Sequence, residues 1–219
     1  MAVYHTISNI DKKVTLQQYI DNRDSNKRIG LKSFTYALGW YNIVDEDIQK
    51  TGQKSYQIQD GYYSFQQIED EFNNDNVNIT LSVNENNGIA SLFTDTELKL
   101  SKNLKKMLGF SNIKRKFQPN VTHVGDNCVD FAIIKSIYLH LEQLNTSQNY
   151  FNGTQSTVLA VVPIENKIFG DIISVRFEHP EFKRLSNGTI TELKITARDE
   201  NGVNINNHGL PMSAVLEIV

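Results

Sequence analysis

Leu193-Lys194-Ile195-Thr196-Ala197-Arg198-Asp199-Glu200-Asn201-Gly202-Val203-Asn204-Ile205 is the stretch that sets the class of fold. Leu193, Ile195 and Ala197 alternate with Lys194, Thr196 and Arg198, the period of a strand that buries one face and shows the other. Asn201-Gly202 then suits the positive backbone angles of a tight hairpin turn, and Val203 and Ile205 resume the pattern. Downstream, Ala214 to Val219 supplies another strand. Upstream, Ile137, Leu139 and Leu141 alternate with Tyr138, His140 and Glu142. Val158-Leu159-Ala160-Val161-Val162 does not alternate, which predicts a short strand covered on both faces.

The first half carries the same grammar with two interruptions. Ile29 to Ile43 reads as an aromatic strand region, with Ile29, Leu31, Ser33 and Thr35 on one side and Lys32, Phe34 and Tyr36 on the other. Val77, Ile79, Leu81 and Val83 alternate with polar residues, and Asn86-Asn87-Gly88 turns the chain into Ile89 to Phe93, a hairpin. Ser64 and Gln67 form a capping-box pattern ahead of a helix that buries Phe65, Ile68 and Phe72. A second helix starts at Ser101, buries Leu104, Met107 and Leu108, and ends at Gly109, where a left-handed C-cap is wanted, with Phe110 closing the cap. Residues 1–27 are polar and loosely patterned and read as an N-terminal arm. About nine to eleven strands without regularly alternating helices predict an all-β fold. The arrangement expected over residues 28–219 is a single jelly-roll β-sandwich with two short inserted helices.

The totals fit one core of that kind. The chain has 219 residues, 39% of them hydrophobic and 21% charged, with a net charge of −3, which demands neither nucleic acid nor membrane. No run approaches the roughly 18 apolar residues of a membrane span, and Met1 to Ser8 lacks the pattern of a signal peptide. The expectation is a protein made and kept inside a cell. The single cysteine, Cys128, excludes an internal disulfide. Asn-X-Ser/Thr sequences begin at Asn78, Asn120, Asn145, Asn152 and Asn187, and without a secretory signal they read as turn-forming asparagines.

Spacings that carry chemistry do not occur. There is no Gly-X-Ser-X-Gly, no His-Glu-X-X-His and no glycine-rich phosphate cradle, so no catalytic, cofactor-binding or metal-binding residue is assigned and the chain is read as a non-enzyme. His123, Asp126 and Cys128 form the one tight group of potential ligands. Gly125-Asp126-Asn127 reads first as a turn, and Cys128, beside Val129 and Phe131, as a small core residue. Acidic pairs such as Glu69/Asp70 and Asp45/Asp47 read as helix and loop charge. Lys99, Lys102, Lys105, Lys106, Lys114, Arg115 and Lys116 make one strongly signed stretch, free of acidic residues. It reads first as a solvated helix face and second as a salt-dependent contact for packaged DNA or an acidic neighbouring subunit.

A series of short segments, in order, resembles capsid proteins encoded by Polinton (Maverick) elements and adintovirus-like viruses. The series begins with Ile29-Gly30-Leu31-Lys32-Ser33-Phe34-Thr35-Tyr36 and Trp40-Tyr41-Asn42-Ile43, then Asp60-Gly61-Tyr62-Tyr63-Ser64 and Leu108-Gly109-Phe110. It continues with Ile137 to Leu141, Val158 to Pro163, Phe177-Glu178-His179-Pro180 and the Asp199 to Gly202 turn. At this length the resemblance is to the single jelly-roll, minor capsid type, the penton. It implies a homopentamer at the fivefold vertices of an icosahedral shell, a double jelly-roll major capsid protein as partner, no cofactor and a place in the virion. Contacts are expected from residues 45–54, residues 145–153 and the arm. The alternative is a β-sandwich binding module recognising glycan or protein through the loop aromatics Tyr62, Tyr63, Tyr150 and Phe151. A cupin-type enzyme would need metal ligands from several strands, and the histidines are dispersed.

Overall fold

A computed structural model describes residues 2–8, 10–24, 26–50, 56–73, 79–111, 116–132, 134–164 and 169–219. The elements begin with β1 (Val3–Ile7), β2 (Lys13–Asn22) and β3 (Arg28–Ala37). Next come β4 (Asp47–Lys50), β5 (Tyr56–Gln57), α1 (Phe65–Asn73), β6 (Ile79–Asn84), β7 (Ile89–Thr94), β8 (Leu98–Leu100), α2 (Lys102–Met107) and β9 (Val121–Cys128). The chain closes with β10 (Ser136–Leu141), β11 (Tyr150–Phe151), β12 (Thr154–Gln155), β13 (Val158–Pro163), β14 (Ile172–Arg176), β15 (Lys183–Arg184), β16 (Gly188–Arg198) and β17 (Met212–Ile218). The strands beyond the expected nine to eleven are mostly pieces of two to four residues.

These elements form two compact units, Met1–Trp40 with Ile134–Val219, and Tyr41–Ile133. In the first, one sheet has the order β1-β17-β3-β14, with β15 pairing farther along β3, and the other has the order β13-β10-β16-β2. The paired strands are antiparallel. The chain passes from the first sheet to the second and back, except between β10 and β13, which are neighbours. Eight strands wound alternately through two four-stranded sheets are a jelly roll, as the strand pattern predicts. Ile29, Phe34, Tyr36, Leu139, Leu141, Leu193, Ile195 and Leu216 are buried in this unit, and Phe34, Tyr36 and Trp40 stack in series at 5.3 and 6.1 Å between ring centroids.

The N-terminal arm is a correction. Residues 3–7 pair with β17, Val3 opposite Ile218 and Ile7 opposite Ala214, and β2 pairs with β16, so this segment supplies two of the eight strands of the roll. Both lie at sheet edges, and most of their residues face solvent. β2 is also irregular: Thr15 and Ile20, five residues apart, stand opposite Glu192 and Ile190, two apart. A strand with that exposure and that bulge shows no period of two.

A second correction concerns β3. Its register against β17 moves from Val215 opposite Ser33 to Leu216 opposite Leu31, so Lys32 is an extra residue and the strand bulges. Beyond a bulge the inward face changes parity. Phe34 and Tyr36 therefore join Ile29 and Leu31 inside, rather than lying on the opposite side as simple alternation requires. The strand stops at Ala37, and Ile43 makes only an isolated bridge to Gly61. β13 likewise departs from the expectation of a strand covered on both faces. It is an edge strand, and a register shift opposite Leu139/His140 places Val158 and Leu159 both in the interior while Ala160 and Val161 stay half-buried. The Asn201-Gly202 turn forms around Asp199, whose carboxylate accepts the N–H groups of Asn201 and Val203 at 2.9 and 2.7 Å, with Gly202 at φ +80.

The second unit, residues 41–133, has a core of its own that includes Ile48, Ile58, Ile68, Phe72, Leu81, Leu92, Leu104 and Phe117. Two three-stranded sheets, β5-β4-β8 and β6-β7-β9, frame it. α1 begins with the expected reciprocal pair, Gln67 N–H to Ser64 Oγ at 3.2 Å and Ser64 N–H to Gln67 Oε1 at 2.8 Å. α2 is capped by Ser101, whose Oγ accepts the Leu104 N–H at 3.3 Å. Its C-terminus is a Schellman turn, with Phe110 N–H to Lys105 O at 2.8 Å and Gly109 N–H to Lys106 O at 3.1 Å. The buried Glu46 carboxylate also takes the Ser101 hydroxyl and the Leu104 N–H, a placement the positive end of a helix favours. The β6–β7 hairpin is as expected, with Gly88 at φ +66; Val77 and Asn78 lie outside the described residues.

Candidate assembly surfaces

The abundant asparagines are stitches as well as turns. Asn22 is buried and donates to Leu185 O and Ser186 O while accepting the Lys27 N–H at 2.8 Å. Asn149 donates to Asn145 O and Arg184 O, bracing the 145–153 region. In the other unit Asn42 exchanges two 2.8 Å bonds with the backbone of Tyr63. Such side chains satisfy backbone groups that sheet ladders leave unpaired. Asn120 and Asn152 adopt positive φ, and Asn145 Oδ1 accepts the Ser147 N–H, in line with the turn reading of their Asn-X-Ser/Thr sequences.

Two openings flank the roll where its sheets end. At the first, β1 and β2 border a cavity of about 360 Å³ lined by Val3, His5, Tyr19, Ile20, Lys27 and Ile218, among others. Val3, Tyr4 and Tyr19 are 49, 57 and 60% exposed there. Asp21 at its rim is bound by the Arg23 guanidinium at 2.5 Å, and this bond holds its carboxyl down to about 2. At the second, β13 and the chain around β15 border a cavity of about 370 Å³ whose lining includes Leu31, Phe151, Ala160, Phe177 and His179. Glu181 is ion-paired with Lys183 on that rim, and Ile172, on the edge strand β14, is 73% exposed.

The basic stretch lies in the other unit. Lys99, Lys102 and Lys106 are exposed on β8 and α2, and Lys105 is half-buried. Lys116 is not an unpaired cation, since it binds Glu97 at 2.5 Å. Lys114 and Arg115 lie outside the described residues, as do positions 51–54 of the expected contact loop 45–54.

His123, Asp126 and Cys128 are not brought together as a ligand set. His123 Nε2 takes the Gln118 N–H at 3.0 Å and its ring meets Phe117 edge-on. The Cys128 thiol is exposed and donates to Asn87 O at 3.2 Å, which corrects its reading as a core residue. Gly125-Asp126-Asn127 is a bulge within β9 rather than a turn: Val124 and Cys128, four apart, face Ser91 and Ile89, two apart. The N–H groups of Asp126 and Asn127 both reach Gly109 O, at 2.9 and 3.1 Å. Among the described residues no three His, Cys, Asp or Glu side chains group as metal ligands.

The aromatics of the binding-module reading divide between the units. Tyr63 is tied down by Asn42 and by its own hydroxyl, which donates to Gln59 O at 2.9 Å. Phe151 packs edge-on against Tyr138 at 5.7 Å, while Tyr150 is exposed. Nothing in the sequence marks the two sheet openings as a pair, because each is assembled from segments far apart in the chain.

No family model and no curated protein matches this chain. Among solved structures it is similar to the mavirus penton protein, known from a crystal structure of its selenomethionine form. The TM-score is 0.51 at 9% identity, over 100% of this chain and 99% of the other, so the likeness lies in the fold.

Proposed function

We propose that this chain is a minor, penton-type capsid subunit of a Polinton-like virus or element. In this reading it assembles as a homopentamer at the fivefold vertices of an icosahedral shell, beside a double jelly-roll major protein, and resides in the virion. The observation that carries the reading is the complete eight-strand roll together with its full-length likeness to a penton protein. The ordered segments from Ile29 to Gly202 add to it. The role is structural: the side chains best placed to act are on strand edges and surfaces, where they meet other chains. The exposed lysines of β8 and α2 are a secondary, salt-sensitive contact for an acidic partner.

Light scattering on the purified chain, with negative-stain images of the same fraction, tests the proposal. The expected particle is a closed ring of five times the 25.0 kDa chain mass. A stable trimer overturns it. So does a monomer that stays outside the shell when mixed with the major capsid protein.

A further inference from the structure

We infer that the two openings of the roll are the two halves of one contact between copies, the β1/β2 side of one chain seating against the β13/β14 side of the next. This rests on the ring reading above and names the surface that would close the ring. Both sides end in strands with no partner on their outer edge among the described residues: β1 and β14 in one sheet, β2 and β13 in the other. Unpaired strand edges bordering apolar surface are sites of association unless something covers them. Here they border cavities with apolar linings.

The occupant is a second copy because the two sides match in character and differ in identity. Each adds exposed apolar side chains, Val3, Tyr4 and Tyr19 on one and Ile172 on the other. The acidic groups on both rims are already neutralised within the chain, Asp21 by Arg23 and Glu181 by Lys183, so apposition strands no carboxylate. A twofold dimer would use one side twice and leave the other open. A cyclic ring uses the two different sides once each, and all are covered. The outward face of the β1-β17-β3-β14 sheet, by contrast, presents Ser33, Thr35, Ser174 and Ser213, with Thr35 and Ser174 hydroxyls 3.0 Å apart, a face suited to water.

The test uses the full chain in a Cys128→Ser background, carrying Val3→Cys on one edge, Ile172→Cys on the other, or both, treated with a short bis-maleimide. The double variant is expected to give a ladder of covalent oligomers on a denaturing gel, and each single variant to remain monomeric. A homodimer from either single variant, or no ladder from the double variant, overturns the inference. Light scattering on the same samples separates the two readings. Rings without a ladder remove this contact and leave the penton proposal standing, whereas monomers without a ladder count against both.

Discussion

Gly109 holds two jobs at one position. It ends α2 at φ +79, and a Cβ built on it would stand 2.1 Å from Asn127 O, a backbone atom that cannot rotate away. Gly109→Ala is expected to destabilise the 41–133 unit by about 2 kcal/mol or more. Denaturant unfolding of the variant checks this, and a loss under about 0.5 kcal/mol would contradict it. His140, half-buried on β10 with Nδ1 2.9 Å from Thr157 Oγ1, is held below its ordinary value by burial and then by the Arg198 cation. Its folded form therefore binds a proton less readily than its unfolded form. The stabilisation from the neutral ring is complete above the ordinary histidine range and is lost as pH falls through the lowered folded value. Thermal midpoints should drop on going from about pH 7.5 to about pH 5.5, less steeply in His140→Gln; equal slopes in the two proteins would remove His140 as the cause.

At the scale of elements, the first two strands carry the sharpest consequence. An arm can be cut off with little effect on a fold. β1 and β2 instead bury Ile7 and Ile20 and pair along the whole of β17 and much of β16. Deleting residues 2–24 is expected to abolish cooperative unfolding and leave an aggregating chain, since two inner strands become bare edges. A soluble deletion variant with an ordinary melting transition would show that the roll does not depend on them. The helices, in contrast, were legible because their signals are local. Ser64 with Gln67, and Ser101 with Gly109, act across a few residues, and the structure shows the bonds they imply. The β6–β7 hairpin was legible for the same reason.

At the scale of the whole molecule, the jelly roll is a matter of order. The strands read from alternation, β10, β16 and β17, are buried on one face and well paired, so their period of two is clean. The division into two units was not visible in the sequence. Ile43 and Ile137 look alike as residues, and only packing assigns the first to the core of the 41–133 unit and the second to the roll. The candidate contact was less legible still. The sequence pointed to loops and an arm, while the surfaces with unpaired edges and apolar cavities are the sides of the roll.

Sequence alone therefore determined the all-β class, the two helices and their caps, and the hairpins, because each depends on side-chain alternation or on hydrogen bonds across a few residues. Tertiary structure decided which strands are edges, the parity change at Lys32, the exposure of Cys128 and the pairing of the two ends of the chain, Val3 against Ile218. Those depend on which distant strand supplies the missing backbone partners, and a residue's own neighbours in sequence carry no record of that choice.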